Sequence, residues 1–163
     1  MKETDSSYVY AIHIKTTPKK LWTAMTDNRF IQKYFFCHTI QSKWKLGADI
    51  HFFRPDGTPS DYGKITRFEP PKALAYTFMM PGDKTKRSKP TEVTFEIFPM
   101  LGGVKLLLTH RNLKGVDMEK NPLTLRGLNN GWPAILSNLK SVMETGKDIL
   151  DMSKMNPDGS LKK

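Results

Sequence analysis

The sequence holds one cysteine, Cys37, in 163 residues. That excludes an internal disulfide, and a reducing, cytoplasmic setting is the natural expectation. Long apolar runs are missing too. None approaches the roughly 20 residues of a membrane span, so no membrane-spanning segment is expected. The opening stretch, MKETDSSYVY, has no apolar segment behind its charges, which argues against a secretory signal there. Histidine is sparse, with four in all. His13, His38 and His51 show no metal-like spacing with Cys37 or with paired carboxylates, and a zinc site needs about four converging donors. Neither a metal nor a cofactor is expected. On an extended strand the adjacent Cys37 and His38 point opposite ways, so Cys37 reads as a packed thiol rather than a nucleophile beside its base. The glycines of LGAD and LGG are turn residues and do not fit a phosphate loop, which needs G-x-x-x-x-G-K-[ST] opening a helix. Asp61, Glu92 and Glu96 form no obvious carboxylate pair and read as strand-surface decoration.

What the chain does have is positive charge. Lysine and arginine number 26 against 16 aspartates and glutamates, a net charge of +10. Such a balance points toward polyanions or an acidic partner. The lysines are scattered singly, as on a solvated surface, apart from one cluster, Lys84, Lys86, Arg87 and Lys89 in PGDKTKRSKP, and a final pair, Lys162 and Lys163. Sequence-blind binding of single-stranded nucleic acid wants basic residues interleaved with exposed aromatics. Phe52-Phe53-Arg54 is the nearest match, and it reads better as a strand, so no specific nucleic acid is expected. The cluster at 84–89 is the place to meet an acidic protein partner, if there is one. With 38% hydrophobic residues and a mean hydropathy of −0.49, the chain is long enough to bury one core.

Periodicity divides the chain into elements. Residues 8–15 alternate, with Tyr10, Ile12 and Ile14 on one side, and predict a half-buried strand. Thr17 before Pro18 predicts a helix N-terminus, and Leu21, Trp22 and Met25 form that helix's apolar face. Asp27 is placed to cap a second short helix, 28–35, carrying Phe30, Ile31, Tyr34 and Phe35. Strands are predicted at 38–46, 48–54, 61–69, 73–80, 91–99 and 103–111, divided by Gly47, Pro55-Asp56-Gly57, Pro70-Pro71, Pro81-Gly82 and Leu101-Gly102-Gly103. Leu74, Tyr76 and Phe78 share a face, as do Val93, Phe95 and Ile97, and Leu106, Leu108 and His110. Residues 122–147 then put Leu128, Trp132, Ile135, Leu136, Leu139, Val142 and Met143 on one face of a long helix. Pro133 breaks the hydrogen-bond ladder unless it lies in the first turn, so the regular helix is expected to begin near Trp132. The division that follows is a frayed N-terminus at 1–7, one domain at 8–147 and a mobile tail at 148–163.

Several local patterns sharpen this. Pro18-Lys19-Lys20-Leu21-Trp22-Thr23-Ala24, followed by Thr26-Asp27, resembles the opening of the START/Bet v-type superfamily. Trp44-Lys45-Leu46-Gly47, Asp56-Gly57, Gly63-Lys64-Ile65, Glu69-Pro70-Pro71 and Leu74-Ala75-Tyr76-Thr77 are similar to its heat-shock-protein-90 ATPase activator-like branch. So are Leu106, Leu108, Thr109 and His110, and in the helix Gly131-Trp132, Leu136, Leu139 and Glu144. The resemblance covers about 8–147 and departs from the pattern in its strong basic charge and at Ala48, where the second of a glycine pair is usual. It implies an α+β helix-grip fold: a seven-stranded antiparallel curved sheet wrapped around a long C-terminal helix, with two short helices after strand 1. It also implies a cavity between sheet and helix able to hold a small apolar or amphipathic molecule.

The expected lining of that cavity is Phe35, Phe52, Tyr76, Phe78, Phe95, His110, Trp132, Leu136 and Leu139, apolar walls with Tyr76 or His110 to orient a guest. The same side chains also suit a filled core. Three functions are compatible with this reading. The first is non-enzymatic binding of such a molecule. The second is a co-chaperone-like protein-interaction module. The third is a cyclase- or hydratase-type enzyme with His110 or Tyr76 as acid or base.

Overall fold

The computed structural model describes residues 5–163. Strand β1, Ser6–Ile14, leads through Thr16 into helices α1, Pro18–Thr26, and α2, Asn28–Tyr34. Strands β2 (Thr39–Ser42), β3 (Asp49–Phe53), β4 (Pro59–Glu69), β5 (Ala73–Phe78), β6 (Thr91–Met100) and β7 (Gly103–Leu113) follow, and helix α3, Leu128–Thr145, comes last. Seven strands form one sheet in the order β1-β7-β6-β5-β4-β3-β2, every neighbour antiparallel. This is the α+β helix-grip architecture.

The local chemistry of each boundary is on view. The Thr17 side chain accepts from the backbone N–H of Lys20, and Pro18 sits at the first helical position, where its missing N–H costs nothing. Asp27 ends α1 and its carboxylate caps α2 through the N–H of Arg29. Gly63 marks the sharpest sequence demand in the sheet. A Cβ there would lie 1.7 Å from the carbonyl oxygen of Thr77, so only glycine lets β4 run this close to the backbone of β5.

The alternation in the strands assigns their faces. Tyr8, Tyr10, Ile12 and Ile14 of β1 pair with His110, Leu108, Leu106 and Val104 of β7. Val93, Phe95 and Ile97 of β6 meet His110, Leu108 and Leu106 from the other side. This inner face packs against the buried stripe of α3, Trp132, Ile135, Leu136 and Leu139, in one core that also takes Leu21, Ala24 and Met25 of α1 and Ile31 and Tyr34 of α2.

Four departures from the sequence reading have local causes. Residues 1–4 of the predicted frayed start lie outside the described residues, but Ser6 and Ser7 belong to β1, where Ser6 pairs with Leu113. Cys37 and His38 are not on a strand: Phe36 and Cys37 both take positive φ in the corner before β2. Helix α3 starts at Leu128, a turn earlier than expected, with Pro133 inside it. Asn129 holds that first turn in place, its amide accepting from the N–H of Glu119 and donating to the same residue's carbonyl, while Asn130 donates to the carbonyl of Asn121.

Residues 148–163, read from sequence as a mobile tail, instead form a strap. The fully buried Asn138 donates to the carbonyl of Leu150 and accepts from the N–H groups of Ile149 and Leu150. Met152 is buried in the core, within a single 3-10 turn, Met152–Lys154, and its sulfur accepts from the N–H of Phe36. Leu125 donates to the carbonyl of Gly159 further along. The buried amide is one reason the strap stays down: its polar atoms would be orphaned without the strap backbone.

Candidate functional site

The nine residues expected to face the interior converge. Phe35 ends α2, Phe52 lies on β3, Tyr76 and Phe78 on β5, Phe95 on β6 and His110 on β7; Trp132, Leu136 and Leu139 come from α3. Their rings form a continuous network. Phe35 lies 5.3 Å from Phe52 and 6.0 Å from Trp132, Phe52 lies 5.4 Å from Phe78, and Phe95 lies 5.8 Å from Trp132, all between ring centroids. Most of these pairs are edge-on or tilted, the arrangements ring quadrupoles favour.

The space they leave is small. A cavity of about 20 Å³ lies between sheet and helix, room for about one water molecule. Phe35, Tyr76, Phe95, Trp132, Leu136 and Leu139 line it, together with Met25, Tyr34, Ile40, Trp44, Leu74 and Ile135. Phe52, Phe78 and His110 stand in the ring network beside it. The sequence signalled Met25, Tyr34, Leu74 and Ile135 as core-facing without singling them out. Trp44 carries no such signal: it sits at positive φ after β2, and only the turn geometry brings its ring to the cavity wall.

Polar groups in this interior are few and strongly affected by burial. His110 is fully buried, and its Nδ1 accepts from the indole N–H of Trp132 at 3.0 Å. That bond leaves the proton on Nε2, which has no partner. Burial, opposed in part by the nearby Asp117 charge and aided by Arg87, pushes the imidazole down to about 4, so it is neutral at pH 7. The hydroxyl of Tyr34 donates to the carbonyl of Ala24, and burial raises the phenols of both Tyr34 and Tyr76 above the usual range. Asp61 departs from the surface role read from sequence. It is half-buried at the start of β4, and desolvation lifts its carboxyl to about 6 despite the hydrogen bond from Ser60. Glu92 and Glu96 do stay on the outer face, paired with Arg111 and Arg67.

The basic cluster at 84–89 divides in two. Lys84, Lys86 and Lys89 are exposed, whereas the side chain of Arg87 is only 7% exposed and lies between Asp83 at 2.8 Å and Asp117 at 2.5 Å. Arg87 therefore ties the β5–β6 loop to the turn after β7 and is withdrawn from any partner surface. At Cys37, burial and the carboxylates of Asp151 and Asp148 push the thiol up, away from a nucleophilic thiolate. His38 directs its Nδ1 to the carbonyl of Phe36 rather than to that thiol. Among the described residues no three His, Cys, Asp or Glu side chains are grouped to hold a metal ion, and no helix is long and apolar enough to cross a membrane.

Residues 15–144 match the family of activator of Hsp90 ATPase homolog 1-like proteins. No curated protein matches the chain. Among solved structures, the Aha1 dimer of Colwellia psychrerythraea is 24% identical with a TM-score of 0.68, covering 87% of this chain and 98% of that one. A protein from Mesorhizobium loti is 21% identical at a TM-score of 0.70, over 85% and 97%. An HSP90 activator from Plasmodium falciparum is 21% identical at 0.64, over 85% and 96%. At these identities the structural likeness speaks for the fold alone. The strap lies beyond the stretch matched to the family.

Proposed function

This chain belongs to the activator of Hsp90 ATPase homolog 1-like family, and on that premise we propose that it acts through its surface on a partner protein, as a co-chaperone-like module. The observation that carries this reading is the filled interior. Small-molecule sites measure roughly 300–1,000 Å³, whereas the cavity here is about 20 Å³. The partner we infer is an ATPase of the Hsp90 type, because an HSP90 activator shares the fold. Its setting is the cytoplasm. A net charge of +10, with Lys84, Lys86 and Lys89 exposed on the β5–β6 loop, suits an acidic partner surface. Such charge mainly speeds encounter and makes it salt-dependent. The test is ATP hydrolysis by the host's own Hsp90-type chaperone, titrated with this protein at low and high salt. Saturable stimulation that weakens with salt is expected. Absence of both binding and any change in turnover at low salt would overturn the proposal.

A second reading keeps the interior as a site for a small apolar or amphipathic molecule. What favours it is the unpartnered Nε2–H of His110 among aromatic walls, a donor that a guest's carbonyl would satisfy once α3 moved outward. Native mass spectrometry of protein purified from its host decides this one: a co-purifying small molecule supports it, and bare protein counts against it. Catalysis by His110 is the weakest of the three, since an imidazole held neutral and engaged by Trp132 is poorly placed to shuttle protons.

A further inference from the structure

The β6–β7 hairpin ends in four consecutive exposed apolar residues, Phe98, Pro99, Met100 and Leu101. Phe98 is 41%, Met100 38% and Leu101 104% exposed. Runs of this length on a surface are errors in a design unless they serve a function. The turn itself is costly. Met100 pairs with Gly103, so Leu101 and Gly102 are the two turn residues, with φ of 48° and 82°. Both being positive makes this a type I′ turn, for which Asn-Gly is the favoured pair. Leucine gains nothing there from the fold: its side chain touches solvent, and its backbone takes a conformation that side chains disfavour.

Lysines stand on the elements next to this tip. Lys105 pairs across the hairpin with Phe98, on the same outer face. The carbonyl of Lys72 accepts from the N–H of Ile97 at the neighbouring strand end. Gly103 packs against the backbone of Ile14 and Lys15, from which the chain enters α1 with Lys19 and Lys20. None of Lys19, Lys20, Lys72 and Lys105 forms an ion pair with a described residue. The nearby acids, Glu69 and Glu96, are both taken by Arg67.

We propose that this hairpin tip docks the protein on an anionic lipid bilayer, Phe98, Met100 and Leu101 entering the acyl boundary while the lysines meet the headgroups. Size favours lipid over protein. A stable protein interface buries about 800 Å² on each partner, far more than four residues at a turn present. A membrane asks only for a small apolar wedge with a basic rim, each element adding to partition. This surface lies apart from the interior and is independent of the chaperone reading, whose assay is run without lipid.

The test is co-sedimentation of the full chain with vesicles of phosphatidylcholine alone and of phosphatidylcholine containing phosphatidylglycerol. Binding to the anionic vesicles only, weakened by salt, is expected. Leu101→Gly should lower that binding about tenfold, the effect of removing one inserted leucine side chain. The same change should raise thermal stability, because glycine takes positive φ freely; lost binding then cannot come from unfolding. Lys105→Gln should lower partition about fivefold. Attraction from net charge alone would leave Leu101→Gly at wild-type binding, and that result overturns the proposal. So does absence of binding to anionic vesicles at low salt. So does a Leu101→Gly variant that loses chaperone binding but keeps vesicle binding, which would give the tip to a protein partner.

Discussion

Two groups desolvated by the fold, the buried His110 and the half-buried Asp61, set opposite pH dependences that largely offset each other. His110 has a native value of about 4 against a model-peptide value of 6.5. Between those limits the unfolded chain holds a proton that the folded protein does not. Stability therefore rises with pH through this window and is lost as pH falls toward 4. Asp61 has a native value of about 6 against 3.8. Here the folded protein holds the extra proton, so stability falls as pH rises through 3.8 to 6 and stays reduced above it. Each slope is about 1.4 kcal/mol per pH unit, and each window amounts to roughly 3 kcal/mol.

Over pH 4 to 6 the two slopes offset, and the unfolding free energy of the wild type should be nearly flat as far as these groups decide it. Single variants expose the hidden terms. Asp61→Asn removes the falling slope, so its stability should climb by about 1.4 kcal/mol per pH unit and exceed that of the wild type at pH 7. His110→Gln keeps an acceptor for the Trp132 indole and removes the rising slope, so its stability should drop across the same range. Urea unfolding in half-unit pH steps measures all three proteins. Variants whose profiles run parallel to the wild type would refute the argument, because the burial invoked for the two groups would then be absent.

Two further outcomes follow from buried polar ties. Arg87→Met strands the Asp83 and Asp117 carboxylates and should cost about 3–5 kcal/mol in urea unfolding; by NMR, Asp83 should titrate above its wild-type value of about 2 but still below its ordinary 3.8, because the hydrogen bonds from Thr85 remain. In the wild type that depressed value gives stability that is complete above 3.8 and lost as pH falls through about 2. Asn138→Ala removes three hydrogen bonds to the strap, each worth about 1 kcal/mol. Amide exchange at Ile149 and Leu150, which lose their acceptor, should quicken about a hundredfold; unchanged exchange would mean that the strap's other ties, Met152 and the Leu125–Gly159 bond, hold it without Asn138.

Most of the fold was legible because the cues are local. Thr17-Pro18 and Asp27 announce helix starts by chemistry that needs no tertiary partner, and the period-2 pattern of Val93, Phe95 and Ile97 names the inner face without knowledge of what covers it. The strap was invisible for the opposite reason. Its residues, DMSKMNPDGSLKK, are polar and unpatterned, and what holds the strap is a few distant groups: the buried amide of Asn138 at residues 149 and 150, Met152 in the core, and Leu125 and Arg126 against Gly159 and Asp158. The early start of α3 was missed likewise, because the groups that steady its first turn, at Glu119 and Asn121, belong to a loop with no periodicity.

The candidate site divides along the same line. That nine interior residues converge follows from their faces, and periodicity reports faces well. How much room they leave does not follow, because volume depends on ring angles and on side chains brought in by turns. Trp44 shows this: it reaches the cavity wall from a positive-φ turn, and one such ring has far more volume than the cavity of about 20 Å³ it adjoins. The indole–imidazole bond between Trp132 and His110 acts in the same direction, fixing a large ring across the space a guest would need. A helix-grip chain with an identical hydrophobic pattern but a smaller residue at either place would keep its fold and gain a pocket. Whether such a chain carries a ligand or presents only its surface is thus decided by a few side-chain volumes, which is why the interior here directs attention outward, to the lysines and the apolar hairpin tip.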